Sequence, residues 1–260
     1  MAGRVTSRVE DGIGWIEFDQ PARRNAISAE MWQAIPALAG EHDADPAVRV
    51  VVMRGAGEVA FVSGADISEF EQQRSGPQAR AYDERNAQAF DALSRLRKPL
   101  LALIHGFCVG GGCAIALCAD LRFAADDAVF AIPAARLGLG YSAKGLESLV
   151  RVVGLPAAKE IFFTARRFDA AEALAMGLVN RVLPKTELDG YVLRTAQQIA
   201  ENAPLTLASA KLALGQIGLD PARRDPAAVS RAIEQCYASE DYAEGVRAFL
   251  EKRKPLFRGV

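Results

Sequence analysis

Histidine and cysteine are scarce in this chain, with two of the first and four of the second in 260 residues. His42 and His105 are too few to suggest a metal site, and no CxxC spacing accompanies them. Cys108, Cys113 and Cys118 fall five residues apart in one apolar stretch, with Cys236 far from them. That pattern reads as reduced, buried thiols of a cytoplasmic protein rather than a secreted disulfide framework. No run of about 18 apolar residues occurs, so no membrane span is expected. Met1-Ala2-Gly3-Arg4-Val5 carries no apolar signal core. The net charge of −1 gives no strong field for nucleic acid or an anionic membrane. GxGxxG is missing, and so is the Lys-Ser/Thr that closes a phosphate loop.

What is present is an ordinary globular balance, 50% hydrophobic and 24% charged, long enough for one large domain or a domain with a helical appendage. Strands and helices alternate in the first half. Gly14–Phe18 follows a Glu10-Asp11-Gly12 turn as the second arm of a hairpin. Ser28 is placed to cap a helix starting at Ala29. Arg49–Arg54 and Pro99–Ile104 read as buried strands, with shorter ones at Leu121–Ala124 and Val129–Ile132. Asp169 opens a capped helix that ends near Gly177. Helical periodicity then covers Tyr191–Asn202, Pro204–Gln216, Ala227–Tyr237 and Asp241–Lys252. The expected division is an α/β core over 1–200 and a C-terminal helical subdomain over 201–260.

Two segments carry the chemistry. Phe61-Val62-Ser63-Gly64-Ala65-Asp66-Ile67 precedes His105-Gly106-Phe107-Cys108-Val109-Gly110-Gly111-Gly112-Cys113 by about 45 residues. Glycine admits unusual backbone angles and close approach by a ligand. A strand, then glycines, then a helix start aims backbone N–H groups at negative charge. Each segment alone also fits a plainer role, tight helix-on-strand packing for the second and a turn for the first. In order, and with their surroundings, they resemble the crotonase superfamily, the enoyl-CoA hydratase/isomerase family. The resemblance covers nearly the whole chain. It includes Pro21–Ala26, Cys118-Ala119-Asp120-Leu121-Arg122, Ala173-x-x-x-Gly177-Leu178-Val179-Asn180 and Phe249–Pro255.

The resemblance implies an α/β fold, a crotonase-like spiral of ββα units with a C-terminal helical part. It implies an acyl-CoA thioester as ligand, with no separate cofactor because CoA enters as part of the substrate. Carried onto this chain, the family's two oxyanion donors are the backbone N–H groups of Ala65 and Gly111, which would hold the thioester oxygen as it becomes an enolate. One such donor is worth about 3 kcal/mol in the transition state. Arg24, Ala26, Asp66 and Ile67 would contact CoA. Lys254 and Phe257 would reach the CoA of a neighbouring subunit, although a solvated surface role serves Lys254 equally. Trimers, often paired as hexamers, are the family's usual assembly.

The chain departs from the pattern where acid/base groups are expected. The position after the glycine-cysteine segment, usually glutamate, is Ala114. The residue after the proline of the next strand, also usually glutamate, is Ala134. A third position that carries an aspartate in some members is Ser142. Hydration needs water deprotonated and a proton delivered to carbon, work that paired carboxylates do well. Glu147 is the nearest remaining acid on a helix expected over Lys144–Val153. Tyr141 matches a tyrosine found in decarboxylases of the superfamily, where it would orient the leaving group or donate a proton; the alternative is aromatic packing. Arg136 is a candidate carboxylate binder. Cys113 and His105 read as structural. Three functions stand open: a hydratase or isomerase; a decarboxylase or other lyase using the same oxyanion hole; and an acyl-CoA-binding protein without turnover.

Overall fold

A computed structural model describes residues 3–66 and 78–260. The predicted hairpin is β1 (Arg4–Glu10) and β2 (Ile13–Asp19), antiparallel in full register. Asp11 (φ 50°) and Gly12 (φ 79°) both take the left-handed conformation that a two-residue hairpin turn requires. Ser28 caps α1 (Ala29–Ala44), its hydroxyl accepting from Met31 N–H at 3.3 Å. β3 (Val50–Gly55), β5 (Leu100–Ile104) and β7 (Leu121–Ala125) follow the β-branched and leucine-rich runs. β10 (Arg181–Leu183) completes a six-stranded sheet of order β1-β2-β3-β5-β7-β10, parallel from β2 onward.

A second sheet has the order β4-β6-β8-β9, from β4 (Ala60–Val62), β6 (Phe107–Val109), β8 (Val129–Ala131) and β9 (Phe168–Asp169). Each strand has three residues or fewer, too short for a periodic signal, and β4, β6 and β9 were not foreseen. α2 (Gln78–Ser94) is also new; its apolar face packs on α1. α3 (Gly111–Leu117) begins inside the glycine run. One core, rich in Trp32, Phe18, Phe61 and Phe130, fills the space between the two sheets, α1 and α2. A second core packs Trp15, Val52 and Leu103 against α6 (Lys185–Ala200), which starts six residues before the expected Tyr191 because Gly190 sits inside the helix rather than ending it.

α4 (Ala143–Thr164) contains a break at Gly154 (φ 74°), and α5 (Ala170–Ala175) has the predicted capping box between Asp169 and Glu172. α7 (Pro204–Ile217), α8 (Pro226–Tyr237) and α9 (Glu240–Leu250) end the chain. Lys211 ties α7 to the rest through Asp120 at 2.7 Å and the Lys98 carbonyl at 2.9 Å.

Candidate active site

β4 runs into Gly64 (φ +112°) and Ala65, where an isolated parallel bridge joins Ala65 to Ile27. Ile27 N–H donates to Gly64 O at 2.8 Å, and Asp66 N–H donates to Ile27 O at 2.9 Å. In such a bridge the residue between turns its own N–H to the opposite side. Gly111 is close by: a Cβ built on it would stand 3.6 Å from Ala65 N. Gly110 (φ 54°, ψ −112°) makes the turn from β6 into α3, so Gly111 is the first helical residue and its N–H has no partner within the helix. The two backbone donors named from sequence are thus brought together from separate ββα units.

The approach between those units tolerates no side chain. A Cβ on Gly112 would lie 2.1 Å from Val62 O, so α3 rests on β4 backbone against backbone. Pro21–Arg23 forms a 3-10 turn, after which Arg24 (φ 51°) and Asn25 (φ 56°) are both left-handed. Buried Asn25 supports this bend, its Nδ2 donating to Ala60 O (2.7 Å) and Ala56 O (3.1 Å) while its Oδ1 accepts from Gln20 N–H (3.0 Å).

Arg24 is exposed, with its guanidinium 4.5 Å from the centre of the Phe107 ring. Arg167, unremarked in the sequence, places its guanidinium 5.9 Å from the same ring. Two exposed cations therefore lie around one aromatic ring on β6, beside the segment that delivers Gly111. Ala26 is buried. Asp66 is also buried and forms an ion pair with Arg23, while Gln20 Nε2 donates to it at 3.2 Å. Its carboxylate is directed at its own chain. Ile67 lies outside the described residues.

The positions that the resemblance assigns to acids hold no carboxylate. Ala114 is half-buried in the first turn of α3, and Ala134 is buried in the 3-10 turn Pro133–Leu137. Ser142 caps α4, accepting from Gly145 N–H at 3.2 Å. Glu147 pairs with Arg151 at 2.6 Å, both side chains well exposed, and so belongs to a solvated helix face. Tyr141 is 39% exposed and meets Phe162 edge to face at 5.0 Å. Arg136 is exposed. Cys113 is buried, its Sγ donating to Cys108 O at 2.9 Å, and burial raises the Cys108 thiol well above its ordinary pKa; both are packing groups. His105 is buried and its Nε2 lies 2.5 Å from Asp189 Oδ1 on α6, which fits a structural role.

Lys254 is paired with Glu201 at 2.5 Å, and Phe257 offers its carbonyl to Arg49 at 3.2 Å. Arg49 precedes β3, whereas the glycine run leaves the far end of the parallel β5. These two residues therefore lie at the opposite end of the sheet from this chain's own donor pair.

A family model described as enoyl-CoA hydratase/isomerase matches residues 8–260. A short-chain-enoyl-CoA hydratase of Clostridium acetobutylicum is 35% identical over 248 residues, covering 94% of each chain. A methylmalonyl-CoA decarboxylase of Escherichia coli is 33% identical over 258 residues, covering 95% of each. A crystal structure of an enoyl-CoA hydratase/carnithine racemase from Magnetospirillum magneticum superposes with a TM-score of 0.93 at 36% identity, covering 98% of this chain and 96% of that one.

Proposed function

Because the chain belongs to the enoyl-CoA hydratase/isomerase family, we propose that it is an enzyme that converts acyl-CoA thioesters through an enolate held by Ala65 and Gly111. The observation that carries this reading is the facing of Ala65 N and Gly111 across the β4–α3 junction. Fixed donors act where charge develops, and they need no reorganisation when it does. Arg24 and Arg167 around the Phe107 ring supply positive charge suited to the phosphates of CoA.

Within that class, decarboxylation of a 2-carboxyacyl thioester fits the side chains best. When CO₂ leaves, the electrons of the broken C–C bond pass to the thioester as the enolate, so no base is required. A proton then arrives at the α-carbon from water or from Tyr141. Ala114 and Ala134 do not obstruct this reaction, whereas hydration would need acid and base groups that they do not supply. Assembly as a trimer or hexamer belongs to the same proposal, and the exposed Tyr242, Val246, Phe249 and Leu250 of α9 offer an apolar surface for it.

The test compares CO₂ release from methylmalonyl-CoA with hydration of crotonyl-CoA, for the parent and its Gly111→Pro variant. Proline removes the donor N–H at a first helical position, where helices accept it. The expected result is CO₂ release by the parent and a loss of about 10²–10³-fold in the variant. Hydration by the parent would overturn the decarboxylase reading, and CoA-ester binding without either turnover would overturn the enzyme reading.

A further inference from the structure

We propose that Trp32 is a positioning residue, setting the spacing between the Ala65 and Gly111 N–H groups. This rests on the donor-pair reading above and goes beyond it to ask what fixes the gap. The two donors come from different ββα units, and a single short segment touches both. At one end of it, Ile27 holds the backbone on either side of Ala65 through bonds of 2.8 and 2.9 Å. Ser28 then starts α1, accepting from Met31 N–H at its hydroxyl and from Trp32 N–H at its carbonyl (3.0 Å). Trp32 follows within the same turn. Its Cζ2 and Cη2 lie 3.3 and 3.6 Å from where a Gly111 Cβ would be, the same point that stands 3.6 Å from Ala65 N.

Residues 27–32 are therefore a brace, with a backbone bridge at one end and an indole edge at the other. The ring cannot retreat, because Phe90 on α2 meets it edge to face at 5.3 Å and 80°. It is 1% exposed. Its Nε1–H has no hydrogen-bond partner among the described residues, although it is buried. A buried donor left unpaired opposes folding, so hydrogen bonding does not account for an indole at this place. Its reach does: the six-membered ring extends to within 3.3 Å of the point that a Gly111 Cβ would occupy, and a phenyl ring is shorter. Interiors packed at this density transmit a change of one side chain to the atoms resting on it.

Acetoacetyl-CoA is the probe. Its α-carbon is acidic enough to ionise in an oxyanion hole without a strong base, and the bound enolate absorbs in the near ultraviolet. CoA alone is the control for binding. We expect Trp32→Ala to bind CoA like the parent while the enolate band falls about tenfold at saturation, part of what outright loss of a donor costs. Trp32→Phe, which keeps the contact with Phe90, carries the test should the alanine variant fail to fold, and the band should fall part of the way. Gly111→Ala should also weaken the band, since its Cβ presses on the indole, and the Trp32→Phe/Gly111→Ala pair should recover most of it, a non-additive outcome expected only of residues in contact. An unchanged band in folded Trp32→Phe and Trp32→Ala, even with a lower melting temperature, would overturn the brace and leave the donor pair standing. A parent that binds CoA but gives no enolate band would overturn the donor pair and the brace together.

Discussion

The two halves of the site are built in opposite ways. The donor half is made of backbone and fixed from several directions: the Ile27 bridge, the Asn25 bonds to β4, and the contact of Gly112 with Val62. The acid half, proposed from the resemblance, holds Ala114, the buried Ala134 and a serine spent on capping a helix. Under the proposed function, polarising a carbonyl and moving protons are thus separate properties of this chain. One is a matter of chain path and the other of side-chain identity.

That separation can be broken from either side. The largest effect should come from refilling the acid half. Ala114→Glu/Ala134→Glu is expected to raise crotonyl-CoA hydration by about 10²–10⁴-fold over the parent, the usual return of positioned proton transfer. An unimproved rate in a folded variant would mean that the donor half is not poised for hydration. Next comes damage to the donor half. Gly112→Ala would place a Cβ 2.1 Å from Val62 O, a backbone atom that cannot move aside, and a loss of about 3 kcal/mol in denaturant unfolding is expected. A midpoint equal to the parent's would show that α3 can slide on β4. The smallest effect lies outside the site and separates fold from chemistry. Burial lowers the pKa of His42 from 6.5, against a partly offsetting bond to the Trp15 carbonyl. Above pH 6.5 the imidazole is neutral both folded and unfolded, and its contribution to stability is intact. As the pH falls below 6.5 the unfolded chain binds a proton that the folded chain resists, and stability declines. The melting temperature should drop modestly between pH 7.5 and 5.5, and less in His42→Gln; equal slopes would remove His42 as the cause.

How much was legible followed from element length. The β-branched runs, the Asp11-Gly12 turn and the Ser28 and Asp169 caps announced their elements because each depends on local chemistry. The proposed donors Ala65 and Gly111 are named through the family motifs, and their proximity is a tertiary fact that only the fold supplies. The second sheet escaped notice because strands of two or three residues carry no period, and they exist through pairing with partners distant in sequence. Trp32 and Arg167 escaped for the same reason: one looks like any apolar helix residue and the other like any surface arginine. The partners of the Asp66 carboxylate, Arg23 and Gln20, come from a loop more than forty residues away and carry no local signal.

The backbone contact of α3 on β4 also bears on how such a protein changes over generations. A donor that is an amide N–H cannot be deleted by replacing its side chain, and Gly112 beside it sits where a single methyl group meets a carbonyl oxygen. Selection therefore removes variants of this half at the level of folding, before activity is tried. Ala114, which is only half-buried, meets no such backbone contact. Drift is steered toward the residues that decide which reaction follows the enolate, and away from those that make the enolate attainable.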